Sequence, residues 1–135
     1  MSRSLSAAER EAFLAEPRVA ILSIAQADRG PLAVPVWYLY QPGGEVRIWT
    51  GGRSRKARLL LLAGRASLVV QNPVPPYQYV SVEGPITSME PAQFERDLRP
   101  LAQRYLAGLG GPAAGDGDLL VHLRPEHWVS QEITL

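Results

Sequence analysis

Three β-rich runs joined by connections of only a few residues occupy residues 19–50 of this chain. Val19–Gln26 (VAILSIAQ) turns back through Asp28-Arg29-Gly30 into Leu32–Tyr40, and Gln41-Pro42-Gly43-Gly44 leads into Glu45–Thr50. A parallel crossover needs about a dozen residues, usually a helix, so these runs can pair only as an antiparallel meander. Several of them are continuously apolar rather than alternating, which predicts burial on both faces. A closed barrel satisfies that, its outer faces covered by helices or by a second subunit.

The remaining segments fit around such a barrel. Ser6-Ala-Ala-Glu9 is a capping box, opening a short helix to about Glu16 with Phe13 and Leu14 on its inner face; Pro17 ends it. Ser54–Ala63 reads as a second helix, closed by Gly64. Ala66–Gln71 is a strand, and Asn72–Pro76 a stiff connector into a long strand, Tyr77–Met89, bent at Gly84-Pro85. Pro91 suits the first turn of a third helix running to about Leu106, with Phe94, Leu98, Leu101 and Tyr105 at helical spacing. After a glycine-rich loop, Gly108–Gly117, the strands Leu119–Arg124 and Trp128–Ile133 complete the sheet. The expected fold is mainly β, with six to seven antiparallel strands and about three peripheral helices, in a single domain over residues 1–135.

Composition narrows the function classes. A net charge of +1 with basic residues spread along the chain argues against a nucleic-acid binder. The absence of cysteine removes disulfides, thiolate nucleophiles and zinc knuckles. No run approaches the ~20 apolar residues of a membrane span, and the N-terminal residues lack an apolar signal core, so the cytoplasm is the expected compartment and no membrane partner is expected.

Lys56 is the only lysine; the other thirteen basic residues are arginine. It lies in Thr50-Gly-Gly-Arg-Ser-Arg-Lys-Ala-Arg58, where an apolar strand gives way to a helix capped by Ser54. Cations in a first helical turn oppose the helix dipole. A bound anion reverses that penalty: free backbone N–H groups, the hydroxyls of Thr50 and Ser54, and Arg53, Arg55, Lys56 and Arg58 together suit a phosphate. A solvated basic turn is the alternative. Trp37 and Tyr38 follow Pro35 in the second strand, Trp49 precedes Thr50, and Trp128 stands near the C-terminus; aromatics around a phosphate site fit a planar phosphorylated cofactor.

Other motifs fail on context. Gly108-Leu-Gly-Gly-Pro-Ala113 follows a helix rather than a strand, unlike a dinucleotide loop. Asp116-Gly-Asp118 opens like a calcium loop, but the position that needs a bidentate glutamate is His127. His122 and His127 have no acidic or cysteine partner at metal-ligand spacing, so no metal is expected. No nucleophile elbow exists. Glu83 is expected to face outward from its strand, and no catalytic residue is identifiable.

Three pieces in order carry a resemblance: Trp49-Thr50…Ser54-Arg55-Lys56-Ala57, Gly64-Arg-Ala-Ser-Leu-Val-Val70, and Tyr79-Val-Ser-Val-Glu-Gly84. With them the chain, from about Val19 to Ile133, resembles the pyridoxamine 5'-phosphate oxidase-like superfamily of FMN-binding split β-barrels. The resemblance implies that Thr50, Ser54, Arg55 and Lys56 hold the cofactor phosphate, with Trp49 beside them and Arg53 and Arg58 nearby. Pro35, Val36 and Trp37 would flank the ring. It also implies a homodimer with cofactor sites between subunits, so that Tyr79 and Trp128 are expected from the partner chain. Two departures stand out. The oxidase's C-terminal arginine–histidine motif reads Leu123-Arg-Pro-Glu-His-Trp128 here, which counts against oxidation of pyridoxine phosphate. Its Arg-Gln pair before the long strand is replaced by Gln78-Tyr79.

The implied activity is that of an oxidoreductase binding FMN, or alternatively the deazaflavin coenzyme F-420, and moving hydride to or from a small-molecule substrate. The second reading is a non-catalytic flavin- or deazaflavin-binding carrier on the same barrel.

Overall fold

The structure is a computed structural model and describes residues 2–106 and 117–134. The chain runs β1 (Ser2–Arg3), α1 (Ala7–Ala15), β2 (Ala20–Ile24), β3 (Leu32–Val36), β4 (Tyr38–Leu39), β5 (Val46–Thr50), α2 (Arg55–Ala63), β6 (Arg65–Asn72) and β7 (Tyr77–Pro91). A π-helical segment (Phe94–Leu98) then leads into α3 (Arg99–Leu106), followed by β8 (Leu119–Leu123) and β9 (His127–Ile133). The fold is mainly β, as expected.

Every strand pairing is antiparallel, and the sheet path is β3-β2-β6-β7-β8-β5-β4. Its two ends, β3 and β4, are consecutive pieces of one stretch of chain, residues 32–39, broken at Trp37. The sheet therefore curls until its ends meet through the covalent chain rather than through a hydrogen-bonded ladder. The second strand expected from sequence, Leu32–Tyr40, is thus two short strands belonging to opposite ends of the sheet. Pro35 is tolerated because β3 pairs on one side only, with β2.

The long strand β7 serves both halves of the curl. Tyr77 to Glu83 pairs with β9, while Ile86 to Pro91 pairs with β8 past a bulge at Thr87. The handover falls at Gly84, where a Cβ would lie 1.8 Å from the Arg124 carbonyl oxygen. The turn after β8 crosses there, and its backbone bonds to β7 through Arg124 N to Pro85 O (3.0 Å) and Glu126 N to Glu83 O (2.9 Å). The glycine is present because two backbones touch.

The core fills the curl with Leu22, Ile24, Ile48, Leu68, Val70, Val80, Val82 and Leu123, all essentially without solvent contact. Full burial of such side chains contributes about 1.5–3 kcal/mol each before the entropy of ordering them. Helix α1 closes one end with Phe13 and Leu14, and its capping box forms: Ser6 Oγ accepts from Glu9 N while the Glu9 carboxylate accepts from Ser6 N. Gly64 caps α2 with φ +69°, a left-handed conformation suited to glycine. A second apolar cluster, Leu39, Leu98 and Leu101 with Trp37, Trp49 and Tyr105, lies under α3.

The third helix starts later than its sequence implies. Pro91 ends β7 instead of opening a helix. Gln93 O accepts from both Asp97 N (2.7 Å) and Leu98 N (3.4 Å), and Asp97 Oδ2 in turn accepts from Gln93 N (2.8 Å), making a wide turn. Pro100 has no N–H to give Arg96 O, which removes a bond that would have continued an α-helix through this turn. The extra residue offsets Phe94 from the apolar stripe, leaving it 36% exposed against the Arg99 guanidinium, while Leu98 and Leu101 are buried. The glycine-rich segment 108–113 lies outside the described residues.

Candidate functional site

Strand β5 ends at Thr50, and two glycines carry the chain into α2. Thr50 is 2% exposed, with its Oγ1 3.2 Å from Ser54 Oγ. Ser54 caps α2 by accepting from Ala57 N (3.1 Å), and Ser54 N donates to Gly51 O (3.1 Å). A Cβ on Gly52 would lie 1.9 Å from Gly117 O, so this loop and the turn before β8 are packed backbone to backbone. The first-turn N–H groups of Arg55 and Lys56 have no partner within the helix, as at any helix N-terminus.

Lys56 is half-buried and has no carboxylate partner among the described residues. Burial pushes its ammonium below the ordinary 10.5. Arg53, Arg55 and Arg58 are exposed on the same turns, and Arg55 donates to Gln26 Oε1.

Lys56 lines a cavity of about 330 Å³ together with Val19, Pro35, Val36, Trp37 and Trp49. This cavity lies at the seam where β3 breaks into β4. Both indoles are held. Trp37 stacks on Tyr105 with ring centroids 5.1 Å apart and planes 3° from parallel. Trp49 Nε1 donates to Asp118 Oδ2 at 3.1 Å. Tyr105 is fixed in turn: its hydroxyl donates to Arg18 O (2.7 Å) and accepts from Tyr38 N (3.2 Å).

Seven of the sequence-derived site residues thus converge: Thr50, Ser54, Lys56, Trp49, Pro35, Val36 and Trp37. Arg53, Arg55 and Arg58 border them. Tyr79 stands apart, opposite Gln71 of β6 and Gln131 of β9 on the outer face of the sheet. Trp128 is not with them within this chain. It pairs with Val82 on the inner face, packs against the core and meets Tyr40 edge-on at 6.3 Å, with Arg10 over its ring at 4.8 Å. Tyr105 and Asp118, which hold the two indoles, were not singled out as site residues; Tyr105 showed in the sequence only as part of an apolar stripe.

The histidines also differ from the sequence reading. His122 lies between two carboxylates, Nδ1 3.4 Å from Glu45 and Nε2 3.4 Å from Glu90, because β5 and β7 flank β8. His127 and Arg65 approach Glu83 at 3.6 and 3.3 Å. No group of three His, Cys, Asp or Glu side chains among the described residues is placed to hold a metal ion.

A curled antiparallel sheet, split at one edge and carrying an aromatic cavity beside a helix N-terminus, defines a split β-barrel. The chain matches the pyridoxamine 5'-phosphate oxidase family over residues 6–131 and belongs to that family. Its fold is shared by an F-420 reductase (23% identity, TM-score 0.76, 87% of this chain and 94% of that one). It is shared too by a FAD-binding protein from Mesorhizobium loti (19%, TM-score 0.77, 99% of each chain). A conserved hypothetical protein from Mycobacterium tuberculosis has the same fold (22%, TM-score 0.75, 95% and 85%). At these identities the likeness is one of fold. No curated protein matches the chain by sequence. Among the described residues, no helix is long and apolar enough to cross a membrane.

Proposed function

We propose that this chain is a single-domain cytoplasmic oxidoreductase that binds FMN, or alternatively the deazaflavin coenzyme F-420, at the seam cavity. The observation that carries the proposal is a half-buried ammonium with no carboxylate partner among the described residues, at a helix N-terminus beside an aromatic-walled cavity. The residues fit the group. A phosphate would complete the charge balance of Lys56 and take hydrogen bonds from Ser54, Thr50 and the first-turn N–H groups. Pro35, Val36, Trp37 and Trp49, which line the cavity, would surround the ring. The bound coenzyme supplies hydride transfer to or from a small organic molecule. The chain's own residues orient it, neutralise its phosphate and keep water from one side of the ring. An F-420 reductase and a FAD-binding protein among the structural neighbours support a coenzyme of this type. Arg53 and Arg58, exposed beyond the phosphate position, would meet the acidic tail of the deazaflavin if that is the coenzyme.

At 330 Å³ the cavity is at the small end of ligand sites, roughly 300–1,000 Å³, so one chain covers only part of such a coenzyme. The proposal therefore includes a homodimer. Ile21, Val69, Ser81 and Val129 form one row across the outer face of β2, β6, β7 and β9, with Ile21 40% and Val129 56% exposed. Covering that face with a second copy would bury the row and bring the partner's Tyr79 towards the seam.

A non-catalytic carrier is the second reading, favoured by a lining in which none of the described residues is a carboxylate or imidazole. Native mass spectrometry with identification of the released coenzyme tests the main proposal: a dimer carrying flavin or deazaflavin is expected. A protein that takes up neither at micromolar concentration refutes it. A loaded protein that no donor reduces and no acceptor reoxidises is a carrier.

A further inference from the structure

We propose that Lys56 is a site of reversible covalent capture, its Nζ condensing with a planar aromatic aldehyde that bears an anionic group to form an imine in the seam cavity. The inference rests on the reading of this seam as an anion-holding aromatic site, and adds to it a chemistry that a coenzyme phosphate does not need.

Thirteen of the fourteen basic residues are arginine, and three of those arginines already surround the α2 N-terminus. A guanidinium binds an anion at least as well as an ammonium, and bidentately. It cannot become a nucleophile, whereas an ammonium that loses its proton can. Among the described residues that line the cavity, the one cation is the one that can form a C=N bond. Its surroundings favour that. Lys56 has no carboxylate partner among the described residues to hold a proton on Nζ, and its neighbours in the cavity are Val19, Pro35, Val36, Trp37 and Trp49. Desolvation raises the neutral fraction of the amine. The two indoles, each held by a second residue, present flat apolar walls to an aromatic ring. Ser54 and the flanking arginines stand at the start of the same helix, where the anionic group would sit, with the buried Thr50 hydroxyl 3.2 Å from Ser54 Oγ.

The step balances without an oxidant. The Nζ lone pair adds to the carbonyl carbon; the carbinolamine then loses its oxygen as water, so one C=O breaks and one C=N forms, with protons relayed through solvent. Hydrolysis reverses it. Captured aldehyde and coenzyme phosphate would occupy the same turn, so the imine would exclude the coenzyme.

The purified chain, with and without added FMN, is incubated with pyridoxal 5'-phosphate or with unphosphorylated pyridoxal, reduced with borohydride, and mapped by peptide mass. The expected result is one adduct per chain on Lys56, forming at least about tenfold faster with the phosphate than without it, the scale of one charge-assisted contact, and suppressed by FMN. Lys56→Arg should take up no label. Label only on the N-terminal amine, or equal rates for the two aldehydes, overturns the capture proposal. If FMN binds but no Lys56 adduct forms, capture fails and the coenzyme reading stands. If the phosphate-dependent adduct forms but neither FMN nor F-420 binds, the coenzyme reading fails and capture stands.

Discussion

Burial of Lys56 opposes folding in the absence of an anion, and on the proposed function the same ammonium would support binding in its presence; these two effects separate experimentally. Its folded-state pKa lies below the ordinary 10.5. The unfolded chain therefore holds the proton more tightly between the two values, and the penalty is complete below the folded pKa and gone above 10.5. Lys56→Met should raise the melting temperature of the coenzyme-free protein at pH 7, with the gain shrinking as pH approaches 10.5. The same variant should lose about 1.5–3 kcal/mol of affinity for FMN or F-420, the scale of a charge-assisted hydrogen bond. Coenzyme titration at unchanged affinity would remove Lys56 from the site. The tryptophans divide in the same way. Trp128 packs against Tyr40, Arg10 and the core, so Trp128→Leu should cost on the order of 3 kcal/mol and leave bound-flavin fluorescence quenched. Trp49→Leu, at the cavity wall, should brighten bound flavin. Brightening by the Trp128 variant instead would place the partner's Trp128 over the ring.

Among the elements, β7 and the loop into α2 each depend on a glycine where two backbones meet. Gly84→Ala would drive a Cβ to 1.8 Å from Arg124 O, and the neighbour is backbone that cannot rotate away. The expected loss is at or above the upper end of the ~1–3 kcal/mol typical of overpacking, read as a lower urea midpoint, with flavin affinity nearly unchanged in the fraction that folds. Gly52→Ala meets Gly117 O at 1.9 Å beside Thr50 and Ser54, and should reduce affinity at least about tenfold by displacing the loop that would hold the phosphate. If both variants lose only stability, the Gly52 loop is not part of the binding surface.

For the whole molecule, the row from Ile21 through Val69 and Ser81 to Val129 leaves partly exposed apolar side chains on the outer face of the sheet. Val129→Arg places a charge at the β9 end of that row while disturbing little within one chain, since Val129 is already 56% exposed. Light scattering should report a dimer of the 14.8 kDa chain for the parent and a monomer for the variant, with coenzyme affinity falling in parallel. A variant that remains dimeric would move the interface to another face.

Features set within a few residues were legible in the sequence itself: the Ser6–Glu9 capping box, the Ser54 cap, the left-handed Gly64 and the clustering of Thr50, Ser54 and Lys56 all arise from contacts spanning four or five positions. The antiparallel character followed from loop length, and the family from motifs in register. Which strand neighbours which could not be read that way. Parity along β9 says that Trp128 and Val129 face opposite ways, but only the pairing of Trp128 with buried Val82 says which of them is inside. The break at Trp37 arises because one stretch of chain must serve both ends of a curled sheet, a constraint that no local propensity encodes. The wide turn before α3 reflects Pro100 together with the buried Leu98 and Leu101 that hold the helix in place. His122 meets Glu45 and Glu90 because its strand lies between theirs. Local chemistry lies in the order of residues, whereas the seam, its cavity and the direction each ring faces depend on contacts between residues tens of positions apart, which exist only once the sheet has closed.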